Sequence, residues 1–166
     1  MTQVERIDPD RTDQVSFRVG KVADVEPLLT RFGAAFFSEV GFDRFTDFDL
    51  HHAVQVVTRQ VATDASPFIV AEDHGESVGL IAYRLERVFG AEPFAYMWVI
   101  FVAPDYRQRG RGRSVASVLL HLACKQAKAE GACAFLATVP PPNTALCALF
   151  PAAGFESMGG AFIKGL

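Results

Sequence analysis

At 166 residues, half of them hydrophobic and 21% charged, the chain carries enough apolar material for one compact domain and lacks the signature of extended disorder. Its net charge of -3 argues against a protein that coats nucleic acid, and its longest apolar stretch, 94–104, falls far short of the roughly 20 residues that cross a bilayer as a helix. Three cysteines, Cys124, Cys133 and Cys147, cannot all pair within the chain and match no metal or redox spacing, so we expect reduced thiols, a cytoplasmic location and no metal site.

Residues 1–14 contain Arg6, Asp8, Asp10, Arg11 and Asp13 without an apolar run. They read as a solvated arm ahead of a single domain at 15–166, not as a signal peptide or an anchor. The stretch 15–19 alternates as a first strand, after which Val25, Leu28, Leu29, Phe32 and Phe36 recur at helical spacing and predict a helix over 22–38. Thr46 and Asp49 form a capping box ahead of a second amphipathic helix with Leu50, Ala53, Val54, Val57 and Val61. Segments 68–72 and 77–85 flank the turn-forming Asp73-His74-Gly75-Glu76 as a hairpin, and 94–102 adds a third adjacent strand. Strict alternation would put Tyr96, Trp98, Ile100 and Val102 of that strand on one face.

From Gly112 the apolar spacing changes to Val115, Val118, Leu119, Leu122 and Ala123, a helix that Gly131 should stop. A short buried strand at 133–139 follows, and the helical crossover makes it parallel to 94–102. Asn143 caps a short helix to about Phe150, and a hairpin around Gly159-Gly160 closes the chain. The order implies an α/β (α+β) fold with a mixed, mostly antiparallel central sheet flanked by helices.

Arg107, Arg109, Arg111 and Arg113 put four positive charges into seven residues and leave the rest of the chain at -7. With Gly110 and Gly112 between them, just ahead of a helix, they form a loop whose backbone N–H groups can surround an anion, helped by the helix dipole. A P-loop would need Gly-Lys-Ser/Thr entering the helix, and a dinucleotide fold would need its glycines after the first strand of a βαβ unit. No aromatic residues interleave with the arginines as a nucleic-acid platform would require, so one polyphosphate ligand is the expected guest and nucleic acid is not.

Two motifs now carry a resemblance. Arg107-x-x-Gly110-x-Gly112 resembles the Q/R-x-x-G-x-G/A pyrophosphate motif of the GNAT N-acetyltransferase family, and Asn143-x-x-Leu146-x-x-Leu149-Phe150-x-x-x-Gly154-Phe155 resembles its N-x-x-A-x-x-L-Y-x-x-x-G-F segment. The resemblance spans 68–166 well, while the earlier region matches only in its strand and two-helix layout. It implies a GNAT-like acyl-CoA-binding fold that takes acetyl-CoA as cosubstrate and passes its acetyl group to an amine of a small molecule or protein. It also implies that Ile100, Phe101 and Val102 pair with the pantetheine arm where their strand splays from 133–139. Arg107, Gln108, Arg109, Gly110, Arg111, Gly112, Arg113, Asn143 and Phe150 complete the implied cofactor set.

One position departs from the family pattern. Phe150 stands where many members have a tyrosine that protonates the leaving thiolate, and a phenyl ring has no proton to give. Tyr96, Tyr106, Cys147 or water are the alternatives, although Cys147 reads more readily as a small buried hydrophobe. For a base, reached through water, Glu39, Glu86, His51 and His52 are the candidates, and each reads more readily as a solvated helix or strand residue. Tyr96 and Trp98 could wall an acceptor pocket or simply pack in the core. A second reading, an acyl-CoA-binding regulatory module with little turnover, rests on Phe150. The sequence leaves a homodimer open and names no acceptor.

Overall fold

The computed structural model describes residues 15–39, 50–64, 67–88, 92–108, 112–139, 143–159 and 161–166. The capping box of Thr46 and Asp49 and the arm at 1–14 lie outside the described residues. In chain order the elements are β1 (Val15–Val19), α1 (Val22–Glu39), α2 (Leu50–Asp64), β2 (Phe68–Asp73), β3 (Glu76–Glu86) and β4 (Phe94–Val102). They continue as α3 (Pro104–Gln108), α4 (Gly112–Ala129), β5 (Ala134–Thr138), α5 (Thr144–Ala152), β6 (Glu156–Met158) and β7 (Ala161–Gly165).

The strands form one seven-stranded mixed sheet in the order β1-β2-β3-β4-β5-β7-β6, with β4 and β5 parallel and the other neighbours antiparallel. This is the fold class that the sequence implies. One element was not anticipated: the segment after β4, read as a loop, begins with the one-turn helix α3. Proline at its first position needs no N–H, Asp105 suits the helix start, and the Tyr106 and Arg107 N–H groups both donate to the Ala103 carbonyl.

The helix ends follow local chemistry. After α4, Gly131 takes a φ of 92°, its N–H donates to Lys128 and the Ala132 N–H to Ala127, which satisfies two terminal carbonyls. The end of α5 repeats the device, with Gly154 at φ 81° donating to Pro151 and Phe155 donating to Phe150. At the other end of α5 the Asn143 Oδ1 accepts from the Leu146 N–H at 3.1 Å.

Helix α4 packs across β2, β3, β4 and β5. At Gly79 a Cβ would lie 2.9 Å from the Phe101 carbonyl and 3.4 Å from Leu119 of α4, so the absence of a side chain lets the helix lie close there. On the opposite face Phe32 of α1 meets Phe101, with ring centroids 5.4 Å apart. Arg18 joins β1, α1 and β2: its guanidinium donates to both carboxylate oxygens of Asp24, at 2.7 and 2.9 Å, and to Glu72 at 2.7 Å.

Strand β4 departs from strict alternation. Opposite β3, Ala82 pairs with Val99 and Tyr83 with Met97, so Trp98 is an extra residue and forms a bulge. The expectation that Tyr96, Trp98, Ile100 and Val102 share a face is therefore wrong. Tyr96 shares its face with Arg84, whereas Ile100 shares the opposite face with Ile81, because one inserted residue inverts the alternation beyond it.

Candidate cofactor site

The bulge lies where the sheet opens. Strands β4 and β5 are in register only from Ala95 to Met97 against Phe135 to Ala137. The bulge at Trp98 follows the last of these pairs, and bulges bend their strand and increase its twist. From Trp98 to Val102, β4 has no register partner on its β5 side among the described residues.

A cavity of about 400 Å³ lies along this stretch. Ile100, Phe101 and Val102 form one wall, and Ala145, Leu146, Ala148 and Leu149 of α5 form another. Arg107 of α3, Arg113 and Ala116 of α4, and the α5 cap Asn143 complete the lining. The body of the cavity is thus apolar, with two guanidinium side chains and one amide among its walls. The Arg107 guanidinium lies over the Phe101 ring, 5.4 Å from its centroid, so the cation is held against another residue of the cavity lining. Such a slot matches a thin, mostly apolar chain ending in a polyanion.

Six of the residues expected to hold cofactor line this cavity together: Ile100, Phe101, Val102, Arg107, Arg113 and Asn143. Gly112 opens α4, while Arg109, Gly110, Arg111 and the side chain of Gln108 lie outside the described residues. Phe150 is placed differently from its expectation. Its ring is 0% exposed, stacked on Phe162 at 5.1 Å and edge-on to Phe155 at 5.1 Å, and it does not line the cavity. The reason is the helix stop described above: Phe150 and Phe155 are the two residues whose contact accompanies that glycine turn, so the ring is drawn into the core.

The other candidates are scattered. Tyr106 is 4% exposed within α3. Glu86 pairs with Arg84, Nε to Oε1. His51 and His52 are exposed on α2, and the side chain of Glu39 lies outside the described residues. Cys147 is exposed, against the reading of a buried hydrophobe, because its neighbours Leu146 and Ala148 take the cavity side of α5. Tyr96 stands at the strand split, its hydroxyl 3.0 Å from that of Thr138. Cys124 is the buried thiol, with its pKa pushed up to about 11 by burial. Sequence reading missed Ala116, Ala145 and Ala148; the i, i+3 spacing of the last two was the available clue.

The GNAT acetyltransferase family model matches residues 34–155 and takes in both motifs, the strand split and the cavity. The chain belongs to the acetyltransferase (GNAT) family. No curated protein sequence matches this GNAT chain. Among solved structures it is similar to a ribosomal-protein-alanine N-acetyltransferase from Brucella melitensis, at 24% identity and a TM-score of 0.66, covering 91% of this chain and 99% of that one. It is also similar to an aminoglycoside acetyltransferase from an uncultured soil metagenomic sample, solved with sisomicin, at 13% identity and a TM-score of 0.66, covering 88% and 92%. The NatC complex bound to Gag peptide and CoA gives 16% identity and a TM-score of 0.65, covering 92% and 99%. At these identities the likeness is one of fold. No described helix is long and apolar enough to cross a membrane.

Proposed function

We propose that this GNAT protein is an acetyl-CoA-dependent N-acetyltransferase in which an amine of a small molecule or protein attacks the thioester directly. The observation that carries the reading is the parting of β4 from β5 at Trp98 beside an apolar cavity flanked by Arg107, Arg113 and Asn143. A strand edge without a partner offers backbone donors and acceptors to the amides of a pantetheine arm, and buried polar backbone groups demand such partners. The start of α4 and the two arginines suit the pyrophosphate, the first by its dipole, the second by charge.

Strand N–H groups near the bulge would polarise the thioester carbonyl while the cleft holds it in line with the amine. Attack forms the C–N bond, the C–S bond breaks, and the proton lost by nitrogen ends on the departing sulfur. Phe150 cannot carry that proton, and its burial also removes the argument for a module without turnover, since a ring serving the core says nothing about lost chemistry.

Acetyl-CoA should raise the melting temperature in proportion to the logarithm of its concentration above Kd, and an amine panel with thiol-release detection should find an acceptor. No thermal shift at millimolar acetyl-CoA would overturn the reading. A shift without thiol release across peptides, amino acids and aminoglycosides would overturn the catalytic part alone.

A further inference from the structure

The face of the sheet away from α4 carries a line of polar side chains that ends at the strand split. Tyr83 donates its hydroxyl to Glu130 beyond the end of α4, at 2.9 Å, and so marks the α4 face. Arg84 and its register partner Tyr96 lie on the other face. There Glu86 holds the Arg84 Nε, the guanidinium lies 5.5 Å from the Tyr96 ring centroid, and the Tyr96 hydroxyl meets the Thr138 hydroxyl at 3.0 Å. Thr138 is the residue that would face Trp98 had the parallel ladder run one rung further. The two hydroxyls therefore join β4 to β5 just past their last backbone pair.

We propose that the Tyr96–Thr138 hydroxyl bridge fixes where the two strands part and thereby sets the depth of the cleft, so that both are positioning residues that select the length of the transferred acyl group. This rests on the proposed acyl transfer and adds to it a determinant of donor choice. The backbone register between β4 and β5 covers three residue pairs, its last pair lies next to a bulge, and the bridge ties the two strands immediately beyond that pair. One rung is about 3.3 Å of strand, room for about two more methylenes. The Arg84 guanidinium lies over the Tyr96 ring and is in turn paired with Glu86, so the ring that carries the bridging hydroxyl is restrained.

The test uses the full chain, with Tyr96→Phe and Thr138→Val removing one hydroxyl each at nearly constant shape, their double variant, and Thr138→Ser restoring the hydroxyl. Affinities for acetyl-CoA, propionyl-CoA and butyryl-CoA are measured by calorimetry, alongside kcat/KM for each donor with the best amine. Each single variant should shift the preference toward butyryl over acetyl by about three- to tenfold, the range of one net hydrogen bond. The double variant should shift it no further, because either change breaks the same bridge, and Thr138→Ser should return the wild-type ratio. A ratio within twofold of wild type in both single variants, or additive shifts in the double, would overturn the proposal. Failure of the wild type to bind any of the three donors would instead overturn the acyl-CoA reading beneath it.

Discussion

Phe150 occupies its motif position as a packing residue. The ring closes the end of α5 against Phe155 and stacks on Phe162, with no exposed surface. A hydroxyl added in that aromatic cluster needs a partner that these rings do not offer, so Phe150→Tyr should cost about 1–3 kcal/mol and leave acetyl transfer unchanged. Denaturant melts with parallel turnover assays would check this. Faster transfer at unchanged stability would mean that the hydroxyl reaches the thioester after all. The cysteines make a second prediction at this scale. Cys133 and Cys147 are exposed, whereas burial raises the Cys124 thiol to a pKa of about 11. An aromatic disulfide reagent at neutral pH should therefore modify two thiols quickly and the third only on unfolding, because the thiolate is the reacting form. Three fast equivalents would contradict the packing of α4 on the sheet.

Elements were legible where periodicity and end chemistry agree. The spacing of Val115, Leu119 and Ala123 with Gly131 defined α4, and Asn143 defined the start of α5, whose end was read at about Phe150 and lies at Ala152. What sequence periodicity could not reveal is a register change: the bulge at Trp98 comes from how β4 meets β3, and no local pattern marks the one residue left without a partner. The five-residue α3 was hidden for the opposite reason, since it is too short to show a period. Six expected cofactor residues were found together because the motifs place strand, helix start and cap at fixed offsets, while catalytic candidates depend on which face a residue takes. The Arg18 clamp belongs to this scale as well. Its hydrogen bonds hold the Asp24 carboxyl below the usual carboxylate range, while Asp24 and then Glu72 raise the guanidinium. A carboxylate that ionises more readily in the folded state adds stability above its unfolded pKa of about 4, and this is lost as pH falls through the lower folded value. Asp24→Asn should accordingly reduce stability at pH 7 and flatten its loss below about pH 4. An unchanged acid limb in thermal melts would show that the β1–α1–β2 junction does not depend on this pair.

Among the described residues β1 to β4 form an antiparallel meander and β5 to β7 a second group, and the two groups are joined by a parallel ladder of three residue pairs, extended by the Cys133 N–H donating to the Pro93 carbonyl at 2.8 Å. Helix α4 crosses from β2 to β5 and straps them. The sheet is continuous in outline but has a seam, and the seam is where the acyl donor is proposed to lie. Two half-sheets joined so narrowly should open against each other at less than the free energy of global unfolding. Hydrogen exchange should then show amides of β5 and β7 opening together, ahead of those in β2 and β3. A donor that bonds β4 on one side and packs on α5 on the other would act as mortar in that seam, and protection should rise across β5 and β7 as well as at the residues it touches. Identical exchange in the two groups, with and without acetyl-CoA, would mean that α4 alone makes them one cooperative body. If the seam opens and the donor binds there as proposed, the donor would become a structural part of the protein, and its supply would govern the protein's lifetime.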